Sequence, residues 1–441
     1  MISKSFLSPE AIRWFQTFNL NIGVFSIGLC IAVFGVSFID LAEIYHVDVD
    51  SVVYIISTRS VGSIVACLAG GYVFSKINGQ VLVLASTFIG GVALAVVPVC
   101  PSLLWTHVAC FVLGACVGLI EIGANVWLIV LWKERGASIL QFYHFVFGTG
   151  AVLAPFIAEP YLSRKISPSA ELLLESLNET ESHLDEFIPS RVHFPYGYFG
   201  AAFVFSAFLM LLAYLVNSEN FSTDDEAKSK RLKLSKRVEF LIVSLMCSYV
   251  MLGVALEQTY SSLCTIYVVD NLGFSKTSAA YLAAVFWGSF TVSRIFSTIL
   301  SIKLEPIYLI VINHILLMLA AITLTLFPLT EMVIWSMTGV FAFSLSPFFG
   351  NVCGWALKYI VICHEYMSAI IVSVCIGAML PPITIGPFIQ KHPMSFMYAN
   401  LAAVFLISLN AAAFVCLGRY LSPSESRKDK VYDPVETSEK V

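Results

Sequence analysis

The sequence predicts an all-α membrane protein: twelve transmembrane helices in two six-helix bundles, with both termini in the cytosol. Three observations predict it. Of the 441 residues, 58% are hydrophobic and only 12% charged, about half the charged share an ordinary soluble domain uses to wet its surface. The charges gather into short islands separated by apolar runs of bilayer-spanning length. Lys and Arg, finally, fall overwhelmingly on one side of those runs.

Each span follows from a run nearly free of Asp, Glu, Lys and Arg, since a crossing needs about 20 residues of helix. Residues 14–39 give the first span, and Ser51 to Ser75, holding Arg59, the second. The run 77–120 is long enough for two crossings; Pro98, Pro101 and Ser102 break it, and the fourth span, Leu103 to Trp132, holds Glu121. Residues 136–158 and 192–218 complete the first six. The second six are Phe240 to Val269 with Glu257, Thr277 to Ile302 with Arg294, and the runs 306–330, 332–357, 366–390 and 393–418.

With both termini inside, nineteen of the 25 Lys and Arg lie in cytosolic segments, which orients the chain by the positive-inside rule. Met1 to Leu20 has no small-residue cleavage site, so no removable signal peptide is expected. The stretch 217–237, rich in Ser, Asp and Lys, has the composition of a solvated linker. It divides an N-terminal bundle, 1–216 with an outer loop at 159–195, from a C-terminal bundle, 238–418; the tail 419–441 is expected to be disordered. A sequon at Asn178 in the outer loop predicts glycosylation. The eleven cysteines are scattered without a CxxC, so they predict apolar packing rather than disulfides or a metal site. No cofactor and no nucleic-acid partner is expected; the lipid bilayer is.

Chemistry is sought at polar residues inside the spans, because a charge there is costly and persists for a reason. Glu121 sits near the centre of span four, and Asn125, four residues on, lies only about 40° around the helix. Gln141 and His144 share a face of span five. A carboxyl, two amides and an imidazole can satisfy the hydroxyls of a sugar, and the carboxyl can also take up a proton; the alternative is an interhelical hydrogen-bond network that merely holds the half together. Asp40 ends span one, and Arg59 lies about two turns inside the outer end of span two. They are expected to pair as an outer gate, against the alternative of an interfacial Asp and a snorkelling Arg.

The second half offers Glu257, Gln258 and Tyr260 on span seven and Asn351 with Trp355 on span ten, aromatic faces beside amides that suit a pyranose ring. Trp287 on span eight adds a further aromatic, and ordinary packing is the alternative for both tryptophans. Arg294 reads as a cytosolic anchor or an interdomain contact. Pro347, Pro381 and Pro382 interrupt spans ten and eleven and predict hinges.

Six spans, a cytosolic linker and six more is the plan of the major facilitator superfamily, whose halves rock about a midplane site. The loop Gly71-Tyr72-Val73-Phe74-Ser75-Lys76-Ile77-Asn78-Gly79 resembles that superfamily's cytosolic signature, with Ser75 where an acid is expected. Asp40, Glu121 with Asn125, and Gln141 with His144 resemble the fucose-proton symporter family in particular. Phe38-Ile39-Asp40-Leu41-Ala42, Thr58-Arg59-Ser60-Val61-Gly62, Gly123-Ala124-Asn125-Val126 with Trp132, His144-Phe145, Ala154-Pro155, and Glu257 with Tyr260 are similar to its animal branch of sodium-dependent glucose transporter 1-like proteins. The resemblance runs over most of residues 18–418. In the symporters the acids matching Asp40 and Glu121 are the proton and sugar carboxylates, and the His144 position usually holds Asn.

The expected function is therefore secondary active transport of a glucose-like hexose by alternating access, in a multi-pass protein of the plasma membrane. Sodium is the coupling ion implied by the animal branch and a proton the one implied by the fucose symporters, through Glu121 or Asp40. The expected sugar ligands are Asn125, Gln141, His144, Glu257, Gln258, Tyr260, Asn351 and Trp355. A non-transporting membrane sensor would favour large soluble domains, and a major facilitator for another small polar solute would use the same architecture. A membrane enzyme would need a nucleophile with its base or a metal cluster, and no such spacing occurs.

Overall fold

Local chemistry decides where each span begins and ends in the computed structural model, which describes residues 8–132, 136–165, 187–218, 235–301, 303–360 and 364–421. Ser8 accepts the Ala11 N–H at 3.2 Å ahead of Pro9, and α1 (Pro9–Tyr45) runs until His46 turns left-handed at φ 54°. The helix α2 (Val49–Lys76) follows, then α3 (Gly79–Val96), capped by the Asn78 side chain on the Gln80 N–H. Pro98 and Pro101 separate α3 from α4 (Leu103–Trp132), and α5 (Gly136–Ala158) and α6 (His193–Val216) complete the first six spans. A two-residue antiparallel pair, β1 (Arg164–Lys165) with β2 (Phe187–Ile188), closes the base of the loop between α5 and α6. Asn178, the linker residues 219–234 and the tail from 422 onward lie outside the described residues.

The second six spans begin with α7 (Lys236–Leu272), ended by Gly273 at φ 71°, and α8 (Lys276–Leu300), capped by Ser275. After α9 (Pro306–Leu326) the tenth span is built from two helices, α10 (Glu331–Leu345) and α11 (Phe348–Ala356), and α12 (His364–Thr384) and α13 (Met394–Leu421) end the fold. The break in span ten has a plain cause. Pro347 has no N–H for the Phe343 carbonyl, and Ser293 of α8 supplies the missing donor while Ser346 donates to the Phe290 carbonyl. Among the described residues there are twelve spans long and apolar enough to cross a membrane, the number expected.

Within the first six spans α1 packs on α5, α2 on α4, and α3 on α4 and α6; within the second, α7 packs on α12 and α13, α8 on α10, and α9 on α10 and α13. Three seams join the halves: α2 against α12, α5 against α8, and α1 against α7. Glycine permits the closest approaches. A Cβ on Gly114 would overlap the Arg59 carbonyl where α4 meets α2, and one on Gly35 would overlap the Ser261 carbonyl where α1 meets α7. Because the number of spans is even, the start of α1 and the end of α13 lie at one side of the bundle, here the terminal side, opposite a far side.

Candidate functional site

Glu121 and Glu257 bring a carboxylate from each half to the middle of the molecule. Both are half-buried, and neither carboxylate has a hydrogen bond or ion pair among the described residues. Glu121 lies within electrostatic reach of Arg59, and Glu257 within reach of Arg294 and of Glu121. Asn125 spends its amide N–H on the Glu121 carbonyl at 2.7 Å, which leaves its oxygen as an acceptor. The half-buried His144 has no hydrogen bond to its imidazole among the described residues, its ring meeting Tyr143 edge-on at 5.5 Å. Gln141 lies on α5, but its side chain is outside the described residues. The first half thus presents a carboxylate, an amide oxygen and an imidazole, and the second half a second carboxylate.

Arg294 is the residue at this centre that sequence reasoning set aside as a ligand. Its Nη1 donates to the His144 carbonyl at 2.7 Å, and its guanidinium lies 4.8 Å from the Phe290 ring and 5.8 Å from Phe147. It is an interdomain contact, one of the two roles expected for it. Trp287 joins the same seam, edge-on to Phe147 at 6.2 Å. Tyr143 was missed altogether: its buried hydroxyl has no partner and lies within electrostatic reach of Glu121. A lone Tyr beside His144 carries no spacing signal that could have found it.

On the far side the expected pairing of Asp40 with Arg59 is not formed. Asp40, 0% exposed, accepts the Ser163 N–H at 2.7 Å and takes the Lys276 ammonium at 3.2 Å. Lys276 also reaches Glu43 at 2.7 Å and the Ser163 hydroxyl. Next to it Thr277 donates to Glu159 at 2.7 Å, and Glu159 pairs with Arg164 at 2.8 Å. Arg59 instead points across to the second half, 3.5 Å from the Gln258 oxygen, with its guanidinium 5.5 Å from the Phe34 ring. The physical reason is depth. Asp40 lies in the last two turns of α1, level with the start of α8, whereas Arg59 lies more than two turns inside α2.

These contacts join the halves on the far side, together with Thr265 donating to the Gly35 carbonyl and Ser57 to the Met379 carbonyl at 3.1 Å. On the terminal side the described ion pairs, Arg13 with Glu10 and Lys358 with Glu305, each stay within one half. Among the described residues, the ion pairs that join the halves therefore lie on the far side.

Three expected sugar ligands belong instead to the interior of the second half. Tyr260 lies between Phe286 and Phe341 at 5.5 and 4.6 Å, its hydroxyl sharing a hydrogen bond with Thr338 at 2.6 Å. Trp355, 2% exposed, packs on Tyr359 at 5.0 Å and Phe414 at 4.7 Å. Asn351 accepts from Ser297 at 3.3 Å and lines a small closed cavity beside α9. Gln258 is taken up by its own Ser262 and by Arg59, so it serves the seam.

The comparisons agree with this architecture. The model of the Major Facilitator Superfamily matches residues 20–380. The chain is 25% identical over 398 residues to the sodium-dependent glucose transporter 1A of Mus musculus, covering 89% of this chain and 92% of that protein. It is also 25% identical to the sodium-dependent glucose transporter 1 of Homo sapiens, covering 88% and 74%. Among solved structures it resembles a bacterial homolog of the human lysosomal transporter Spinster, inward-facing and unoccupied, with a TM-score of 0.66 at 13% identity over 92% of this chain and 97% of that one. The superfamily transporter FucP in its outward conformation gives 0.61 at 14% identity over 90% and 98%.

Proposed function

The chain belongs to the major facilitator superfamily, and from that premise we propose that this transporter carries a glucose-like hexose by secondary active, alternating-access transport coupled to sodium or a proton. One observation carries the reading. Glu121 and Glu257, one carboxylate from each half, lie near the middle of the molecule without a salt bridge among the described residues, where a fixed pair would have been expected to neutralise charge so deep in a bundle. A carboxylate left unpaired there is free for solute hydroxyls or a coupling cation, and it can favour one arrangement of the halves over another by what it binds.

Asn125 and His144 supply further hydrogen bonds to the sugar, Gln141 shares their helix, and Asp40 acts at the gate rather than at the sugar. The terminal side is the cytosolic one, as the Lys and Arg distribution supports, so the latched far side faces outward and this conformation is inward-facing. The plasma membrane is the proposed location and Asn178 the proposed glycan acceptor. The names of the 25% identical relatives support the sugar class and favour sodium.

The test is uptake of labelled hexoses into proteoliposomes, with sodium and pH gradients imposed separately. Hexose should accumulate under one gradient only. Glu121→Gln, which keeps hydrogen bonding but removes the charge, should retain exchange and lose accumulation. Unchanged accumulation in this variant would remove Glu121 from coupling, and no hexose uptake under either gradient would overturn the reading.

A further inference from the structure

A closed cavity lies inside the second half, between α7, α9 and the break in span ten. It is lined among others by Tyr249, Asn313, His314, Ser344 and Asn351, and leaves about 10 Å³ for the centre of a water molecule. Two of the lining residues carry a polar atom without a partner among the described residues: His314 Nε2 and Asn351 Nδ2. The two residues are only 8% and 6% exposed. Buried polar groups are normally satisfied, so a pair of orphans in one cavity asks what satisfies them.

The hydrogen-bond inventory answers by chemistry. His314 Nδ1 lies 2.8 Å from the Ile310 carbonyl, which can only accept, so Nδ1 carries the proton and Nε2 of the neutral ring is left as an acceptor. Asn351 Oδ1 already accepts from Ser297 at 3.3 Å, so the free end of that amide is a donor. A bare cation would meet the amide N–H and an anion would meet the imidazole lone pair. Water both donates and accepts, and the open volume is that of about one water.

We propose that this cavity holds one bound water, which accepts from Asn351 Nδ2 and donates to His314 Nε2, joining α9 to α11. Its second proton finds the Ser344 oxygen, whose own proton goes to the Val340 carbonyl at 2.6 Å. The site sits one turn beyond Pro347, where the tenth span is already broken. A water-mediated contact costs little to rearrange, so α11 can tilt against α9 without stranding either polar group. This joint lies outside the solute site and does not depend on which solute is carried.

Two measurements on the full chain test it. A structure that resolves ordered water should show one peak at hydrogen-bond distance from both His314 Nε2 and Asn351 Nδ2. In thermal unfolding, His314→Leu and Asn351→Leu should each lower the Tm by a few degrees, because each strands the other partner. The double variant should fall no further than the worse single, since donor and acceptor leave together. His314→Gln, which keeps an acceptor, should stay near the parent Tm and takes its place in the cycle if a leucine variant does not assemble. An empty cavity, a peak held by contacts shorter than hydrogen bonds, as a metal ion would show, or additive losses in the cycle would overturn the proposal.

Discussion

Asp40 and Lys276 carry the energetics of the far side at the scale of single residues. Removing one partner of a desolvated pair usually costs about 3 to 5 kcal/mol, because the other charge is stranded. Asp40→Asn and Lys276→Met should therefore each lower stability in detergent, and the double variant should lose clearly less than their sum. The cycle of Asp40→Asn with Arg59→Gln should be additive, since those residues share no contact; coupling between them would contradict the geometry. The sequence marked Asp40, Arg59 and Glu121 as residues of consequence because charge inside a span is rare. It could not reveal that Asp40 belongs with Lys276, since the two are separated by 236 positions and meet only when α1 and α8 reach the same depth. Helical spacing misled at Tyr260 and Trp355 for a related reason. Residues three or four apart share a face, but spacing does not say whether that face looks to the solute path or into its own half. Trp355→Ala should accordingly act on the fold. Truncating a buried aromatic costs about 3 to 5 kcal/mol, so the Tm should fall while the apparent solute affinity of the surviving protein stays as it was. A weakened affinity at unchanged Tm would return Trp355 to the solute site.

Helices are the level at which the sequence was most legible, because a bilayer imposes length and apolarity on each crossing separately and needs no tertiary information to be read. The interruption of span ten at Pro347 was legible on the same terms, since a proline removes its own N–H wherever it stands. Seams between helices were not, because they depend on backbones touching where side chains are small. Gly35 is the sharpest instance. Any Cβ there would meet the Ser261 carbonyl and the Ser262 Cα, backbone atoms that cannot rotate aside. Gly35→Ala should therefore wedge α1 from α7, break the Thr265 hydrogen bond to the Gly35 carbonyl, and weaken far-side closure without touching the carboxylates. Labelling of a cysteine placed at Thr265 by a membrane-impermeant reagent added to the far side should rise severalfold in this background. Equal labelling with and without the Gly35→Ala substitution would show that the seam is not part of the gate.

The whole molecule joins these scales, because the far-side contacts run between the two bundles. Loss of the Lys276 latch should do more than loosen one corner if the halves are rigid bodies rocking about the central carboxylates. Spin labels at His46 and Gly273 would report the far side, since both are exposed and lie on opposite halves. Labels at Ser218 and Lys358, likewise exposed on opposite halves, would report the terminal side. Cys416, the exposed cysteine among the described residues, is replaced by Ser in all samples. Lys276→Met should lengthen the far-side distance and, in the same proportion of molecules, shorten the terminal-side distance, because removing contacts that exist in only one conformation shifts the population toward the other. Gly35→Ala should move both distances in the same directions through a different defect. A far-side distance that lengthens while the terminal-side distance stays constant would mean that the gate frays locally, and rocking of rigid halves would have to be abandoned for this chain.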